Sequence, residues 1–340
     1  MDTLSKPEKL ASIELFAGAG GLALGLHKAG FAPQLLIEID KDAAKTLAAN
    51  QPSWNVLNAD ISEINLDGLS IGKEVDLISG GSPCQSFSYA GHRAGLEDTR
   101  GTLFYEFARF VKYFKPKIFL FENVRGLIKH DNGKTLAIIV STFEDIGYKV
   151  EWKLLNAVNY GVAQKRERIF MVGVREDIYK KNGAFRYPKP VKNMLSLKEA
   201  LKDVPESVGS EYPEAKKKVL ELVPPGGCWR DLPDEVAKEY MGVSYYSGGG
   251  RTGMARRISW EEPCLTLTTS PAQKQTERCH PEETRPFTTR EYARIQSFPD
   301  EWKFEGSMAS VYRQIGNAVP VQMARHMGVA IYEYLKGGEG

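Results

Sequence analysis

Between residues 12 and 174 short apolar runs alternate with stretches of helical periodicity, and this alternation restricts the fold more than anything else in the 340 residues. Ser12-Ile-Glu-Leu-Phe16, Leu35-Leu-Ile-Glu-Ile39, Val75-Asp-Leu-Ile-Ser79, Ile118-Phe-Leu-Phe121 and the run from Arg168 to Val174 read as strands. Between them lie helical patterns over 20–28 (with Gly30 in a capping position), over 41–50, through Leu103, Phe104, Phe107, Phe110, Val111 and Phe114, and over 134–146. Such alternation predicts an α/β fold, a mostly parallel sheet with helices on both faces.

The pattern changes after Tyr187. Pro188, Pro190, Pro205, Pro213, Pro224 and Pro225 interrupt it, glycines cluster at 226–227 and 248–250, and helical spacing returns only over 289–297 and 319–335. A second, loop-rich domain is expected there. Apolar residues at 42% and charged residues at 26% suit a soluble globular chain. No apolar run approaches the roughly 20 residues of a membrane helix, and 13–16 is too short for a signal core, so a cytoplasmic protein is expected. Four cysteines without a C-x-x-C pair imply neither a disulfide framework nor structural zinc, and no metal is expected. With a net charge of only +2, any phosphate-binding face must be local.

Candidate chemistry clusters at strand ends, where α/β sheets place their sites. Phe16-Ala-Gly18-Ala-Gly20-Gly21 follows the first strand and opens a helix; its glycines let the backbone approach a ligand. Glu38 ends the second strand and suits two ribose hydroxyls, and Asp60 suits an adenine amino group. The spacing is not G-x-G-x-x-G, which breaks the dinucleotide fingerprint and disfavours a nicotinamide-dependent oxidoreductase; a plain tight turn stays open. Cys84, in Gly81-Ser-Pro-Cys-Gln-Ser-Phe-Ser88, is either a partly ionised thiol in a polar loop or a small packing residue. Glu122 at the next strand end is either a neighbour of Cys84 or a capping acid. Arg166 and Arg168 alternate by two and so share a face of an extended segment, or belong to a solvated charge run.

Together these segments resemble the ordered motifs of the cytosine-C5 DNA methyltransferases of bacterial restriction-modification type. The matching stretches are Phe16 to Gly21, Pro83-Cys84-Gln85, Glu122-Asn123-Val124, Gln164-x-Arg166-x-Arg168 and Gly316-Asn317-Ala318-Val319-Pro320, supported by Asp98 to Phe104 and Arg290 to Pro299. The resemblance covers about residues 12–185 and 285–335, and the catalytic positions keep the pattern.

It implies a Rossmann-like S-adenosylmethionine-dependent methyltransferase domain over 1–187 and 298–340, discontinuous because the last helix returns to it, and a smaller target-recognition domain over 188–297. It implies methyl transfer to C5 of a flipped-out cytosine in duplex DNA, with S-adenosyl-L-homocysteine as product. Cys84 would add to C6 as a thiolate, Glu122 would bind N3 and the exocyclic amine, Arg168 would contact O2, and Arg166 would support the same pocket. Phe16, Gly18, Gly20, Gly21, Glu38, Ile39, Asp60, Ile61, Leu103, Asn317 and Val319 would hold the cofactor, with Phe16 and Ile39 around the adenine. Gln85, Ser88 and Arg100 would lie on a loop closing over the base. In the variable region Arg251, Arg256, Arg257, Gln273, Lys274, Gln275 and Arg278 are expected on the DNA; residues 247–280 carry five basic and three acidic side chains, a modest bias. The implied protein is a monomer in a prokaryotic, nucleoid-associated cytoplasm, with a cognate endonuclease acting independently. The alternatives are an RNA (tRNA) cytosine methyltransferase and a DNA-binding protein without activity; intact Cys84, Glu122 and Arg168 argue against the latter.

Overall fold

A computed structural model describes residues 9–72, 74–82, 103–246 and 253–337. In chain order the elements are β1 Leu10–Leu15, α1 Gly21–Lys28, β2 Phe31–Glu38, α2 Lys41–Asn50, β3 Val56–Asn58, β4 Leu77–Gly80, α3 Leu103–Phe114, β5 Ile118–Val124, α4 Lys134–Asp145, β6 Tyr148–Asn156, β7 Gln164–Lys165, β8 Glu167–Arg175 and α5 Glu176–Asn182. There follow α6 Leu197–Ala200, α7 Glu214–Glu221, α8 Asp234–Met241, β9 Cys264–Leu265, α9 Thr289–Ile295, α10 Met308–Asn317 and α11 Val321–Leu335. Two compact units result: 1–156 with 167–190 and 321–340, and 157–166 with 191–320.

In the first unit, seven strands among the described residues form one sheet in the order β3-β2-β1-β4-β5-β8-β6. β3, β2, β1, β4 and β5 run parallel, and β8 is antiparallel to both β5 and β6. This is the mostly parallel sheet that the alternation predicts, and it fits the Rossmann-like domain that the resemblance implies. The chain winds outward from β1 to β2 and β3 in one direction and from β4 to β5 in the other, and crossovers of the usual right hand put their helices on opposite faces. The reversal leaves a crevice beyond the carboxyl ends of β1 and β4.

Aromatic packing fixes one face. Phe104, Phe107 and Phe110 recur on one side of α3 and are buried, and the Phe107 ring lies 5.1 Å from that of Phe121 on β5. Phe119 and Phe143 stack at 4.1 Å, and Gly173 makes room for Phe119, because a Cβ there would sit 1.9 Å from its ring. On the other side α1 packs on α11 through glycines: a Cβ on Gly25 would meet that of Ala324 at 2.4 Å, and one on Gly328 that of Ala29 at 2.7 Å. The last helix therefore belongs to the first unit.

β6 escaped the sequence reading because its run, Tyr-Lys-Val-Glu-Trp-Lys-Leu-Leu-Asn, mixes charged and apolar residues, as suits a sheet edge. α10 escaped it as well; it ends in Gly316-Asn317 and packs against α9.

The second unit has little regular structure, with β7 and β9 pairing in parallel. Its small core gathers Tyr212, Leu220, Val223, Leu232, Ala237, Ala255 and Cys279. Residues 298–320, grouped with the cofactor domain in the sequence reading, pack in this unit, as do 157–166. A buried amide pair explains both placements: Gln164 Nε2 donates to Gln296 Oε1 at 2.9 Å, and Gln296 Nε2 donates to the carbonyls of Ile315 and Ala318 at 2.7 and 3.1 Å.

Candidate active site

Two strand ends, β1 and β2, build one half of the crevice. After β1 the chain turns through Phe16, Gly18 and Gly20, all at positive φ (58, 54 and 84°). Glycine takes this conformation freely, whereas Phe16 is strained by it, a cost of about 1–3 kcal/mol that surrounding structure must over-determine. The restraint is visible: Ala17 N–H bonds the Ile37 carbonyl at 3.0 Å, and Gly18 N–H donates to Glu38 Oε2 at 2.6 Å. Asp40 N–H holds Oε1 at 2.8 Å. Burial raises the Glu38 pKa above its usual value, while these N–H groups pull the other way. Asn58 on β3 braces the same strand end, donating to the carbonyls of Glu38 and Ile39 at 2.7 and 3.0 Å.

Asp60 caps the short turn Ile61–Glu63, accepting Ser62 N–H at 2.9 Å and its hydroxyl at 2.7 Å on Oδ1, which lowers its pKa. Ile61 is buried, and its carbonyl accepts from Arg109 of α3 at 2.8 Å. Leu103 opens α3, and Gly21 opens α1. Ile39 is an apolar side chain left 64% exposed at a strand end. Asn58 and Arg109 are absent from the sequence-derived set; they act through side-chain reach to backbone far away in the chain, which no local motif reports.

The other half stands at the ends of β4, β5 and β8. Glu122 and Arg168 meet diagonally across neighbouring strands, with Arg168 Nε 2.9 Å from Glu122 Oε1 and both side chains 14% exposed. Gly81 follows β4 and lies beside Glu122: a Cβ on it would fall 2.6 Å from Glu122 Oε2 and 2.8 Å from its carbonyl. The acid therefore occupies the space a larger residue at 81 would take. Asn123 is buried and donates to the Ser82 carbonyl at 3.1 Å, while its Oδ1 accepts Val124 N–H at 2.8 Å. It ties the Glu122 strand end to the segment that leads into Cys84.

Cys84, Gln85, Ser88, Arg100 and Arg251 lie outside the described residues. The other three cysteines are free and buried; burial pushes the Cys264 thiol up to about 12 and that of Cys279 to about 11. Thiols held so firmly protonated are poor nucleophiles at neutral pH.

Arg166 belongs to the second unit and is 1% exposed, donating to the carbonyls of Leu267 and Gly316 at 3.3 and 2.9 Å. Arg168 belongs to the first unit and faces Glu122. Arg166 thus braces the motif around Asn317, which ends α10 and is exposed; Val319 is buried. Gly316 has to be glycine there, because a Cβ would meet the Thr268 carbonyl at 2.4 Å.

Of the residues expected on DNA, Gln273, Lys274 and Gln275 are exposed on one turn, and Arg256 is half-buried. Arg278 is buried and donates to the carbonyls of Thr266 and Glu277. Arg257 departs from the expectation. It is 4% exposed, and all five of its N–H donors are committed inside the unit, to the carbonyls of Val223, Leu220, His280 and Glu283 and to the Thr284 hydroxyl. A guanidinium with no donor left has nothing to offer a base or a phosphate.

Among the described residues no group of His, Cys, Asp and Glu could hold a metal ion, and no helix is long and apolar enough to cross a membrane. A reversed parallel sheet, a Gly-rich turn clasped by a strand-end acid, and a half-buried acid–guanidinium pair across the crevice fit a methyltransferase of the Rossmann-like class. The chain belongs to the C-5 cytosine-specific DNA methylase family, whose model matches residues 10–333. It is 59% identical over 325 residues to the type II methyltransferase M.Sau96I of Staphylococcus aureus, covering 95% of this chain and 75% of that one. It is 56% identical over 332 residues to M.Eco47II of Escherichia coli, covering 95% and 79%. Among solved structures, a prophage-encoded DNA modification methyltransferase of E. coli superposes with a TM-score of 0.71 at 26% identity, covering 96% of this chain and 100% of that one. The protein is a DNA cytosine-5 methyltransferase; the family match decides for DNA over the RNA alternative. Family and fold imply the use of S-adenosylmethionine.

Proposed function

We propose that this enzyme methylates C5 of a flipped-out cytosine within a specific short duplex sequence through a covalent Cys84–C6 adduct, and that it protects host DNA beside an independently acting endonuclease. The observation that carries the chemistry is the Glu122–Arg168 pair at 2.9 Å, beside the strand end from which the chain runs to Cys84.

Cytosine C5 is a weak nucleophile. Addition of the Cys84 thiolate to C6 moves electron density towards C5 and N3, and a proton held at N3 by Glu122 offsets the charge that builds. Arg168 keeps the Glu122 carboxyl oriented and turns its remaining donors to O2. The cofactor, when bound, supplies an electrophilic methyl group that the enamine-like C5 takes. A base then removes the C5 proton, the electron pair reforms the C5–C6 double bond, and Cys84 leaves as thiolate. The thiols at 264 and 279 are held protonated, which supports Cys84 as the nucleophile.

The residues at the first two strand ends suit S-adenosylmethionine. The oxygens of Glu38 are oriented by the N–H groups of Gly18 and Asp40 and fit ribose hydroxyls, the exposed Ile39 offers an apolar face to an adenine ring, and a Cβ at Gly18 would meet nothing within 4 Å. No metal is needed for this chemistry. A soluble monomer in the bacterial cytoplasm, acting on its DNA, completes the reading.

Duplex DNA carrying 5-fluorocytosine at the target should trap a covalent adduct in the presence of S-adenosylmethionine, because the fluorine cannot leave as the proton does. Cys84→Ala should form none; trapping by that variant would sink the assignment. Cleavage of unmethylated but not of methylated host DNA by source-cell extracts tests the protective role.

A further inference from the structure

The turn over residues 272–277 stands on a charged base that no motif explains. Lys216 of α7 donates from Nζ to the Ala272 carbonyl at 2.7 Å and pairs with Glu277 at 2.8 Å, so one ammonium group closes both ends of the turn. The Glu277 side chain is 0% exposed and also accepts the Tyr240 hydroxyl and Ala255 N–H. The Tyr240 ring in turn lies 4.5 Å beneath the Lys274 ammonium. Above this base Gln273, Lys274 and Gln275 are exposed.

Burying an ion pair is a poor way to gain stability, since desolvation cancels most of the attraction; fixing one conformation is its better-attested use. What this pair fixes is the backbone of a turn that exposes two carboxamides on either side of a cation. A carboxamide carries a donor and an acceptor side by side, the arrangement that pairs two positions on a base edge. Side chains on a turn held from below lose less freedom on binding than those on a loose loop.

We propose that Gln273 and Gln275 read base edges of the target duplex, and that the Lys216–Glu277 pair is the positioning device that sets their register. The assignment rests on the DNA methylase reading and adds to it the element that confers sequence choice.

The test uses the full-length enzyme and a library of duplexes differing from the target at single base pairs, read by bisulfite sequencing, with the KM for S-adenosylmethionine measured alongside. Gln273→Ala and Gln275→Ala should each lose roughly tenfold or more of the discrimination at one base pair. Lys216→Met should relax both positions together while the KM for S-adenosylmethionine stays at the wild-type value. Should Lys216→Met fail to fold, Lys216→Arg and Tyr240→Phe, which perturb the same base more gently, should relax the same two positions to a smaller degree. Wild-type profiles in both glutamine variants overturn the reading element. An unchanged profile in folded Lys216 and Tyr240 variants overturns the positioning role. A wild-type enzyme that methylates no duplex would instead sink the parent reading.

Discussion

Arg168 Nε lies 2.9 Å from Glu122 Oε1, two side chains from antiparallel neighbours β8 and β5 that are each 14% exposed. In the proposed mechanism the pair joins the acid that would hold a proton on the base to the cation that would orient it. Glu122→Gln keeps the shape and removes the acid, so kcat should fall by about 100-fold or more. Arg168→Lys keeps the charge and loses the planar fork, and should also lower kcat strongly. Single-turnover transfer of labelled methyl to duplex DNA measures both; a Glu122→Gln variant with wild-type kcat would remove Glu122 from the chemistry.

Gly81 should be the least replaceable residue near this pair. An alanine methyl would sit 2.6 Å from Glu122 Oε2 and 2.8 Å from its carbonyl, and the carbonyl cannot swing aside. Gly81→Ala is expected to displace Glu122, cutting kcat while costing about 1–3 kcal/mol of stability. Activity together with chemical denaturation checks this; an active, fully stable Gly81→Ala enzyme contradicts the geometry.

Asn58 and Arg109 reach across the chain to hold backbone under the expected cofactor. Asn58→Ala removes two hydrogen bonds to the Glu38–Ile39 strand end, and Arg109→Met releases the carbonyls of Ile61 and Ile64. Each should raise the KM for S-adenosylmethionine by roughly two- to tenfold with kcat nearly intact. Titration with S-adenosylhomocysteine provides an independent check, and unchanged affinity in both variants argues against the cofactor reading of these strand ends.

Arg257 separates a framework role from a DNA-contact role. Arg257→Lys leaves buried carbonyls without donors and should cost about 2–4 kcal/mol of stability. The salt dependence of DNA binding should stay unchanged, because no phosphate contact is lost. A shallower salt slope with unchanged stability would return Arg257 to the DNA face.

What the sequence conveyed well was local: a turn after a strand, an acid at a strand end, a glycine where two backbones meet. Gly18, Glu38 and Glu122 are legible because strand alternation alone places them at one end of a parallel sheet. Contacts across the chain are not. Asn123 with Ser82, Arg109 with Ile61 and Lys216 with Glu277 join segments that no periodicity relates. The period-two reading of Arg166 and Arg168 assumed one continuous strand, but β7 ends before Arg166, and the Arg166 carbonyl accepts Ala157 N–H at 2.9 Å. Arg257 shows the same limit, since a basic run looks exposed until enough carbonyls converge on one member.

Glu14 offers a test by pH. It sits in β1 just before the Gly-rich turn, 3% exposed, accepting Ala23 N–H of α1 at 3.1 Å and the Ser79 hydroxyl of β4 at 3.2 Å. Burial raises its pKa from 4.5 to about 8; the two hydrogen bonds oppose the shift and the Glu38 charge adds to it. The native state therefore holds this proton more tightly than the unfolded chain does. The resulting stability is complete below pH 4.5, falls as pH rises, and is gone above about 8. Glu14→Gln keeps the shape and cannot ionise, so its melting temperature should gain on that of the wild type between pH 5 and about 8 and hold a constant lead above. Titrating groups that do not interact with Glu14 drop out of the difference, and only the coupling to Glu38 stays in it. A lead that does not change over that range would mean Glu14 is already ionised in the folded protein, with Ser79 and Ala23 carrying its charge.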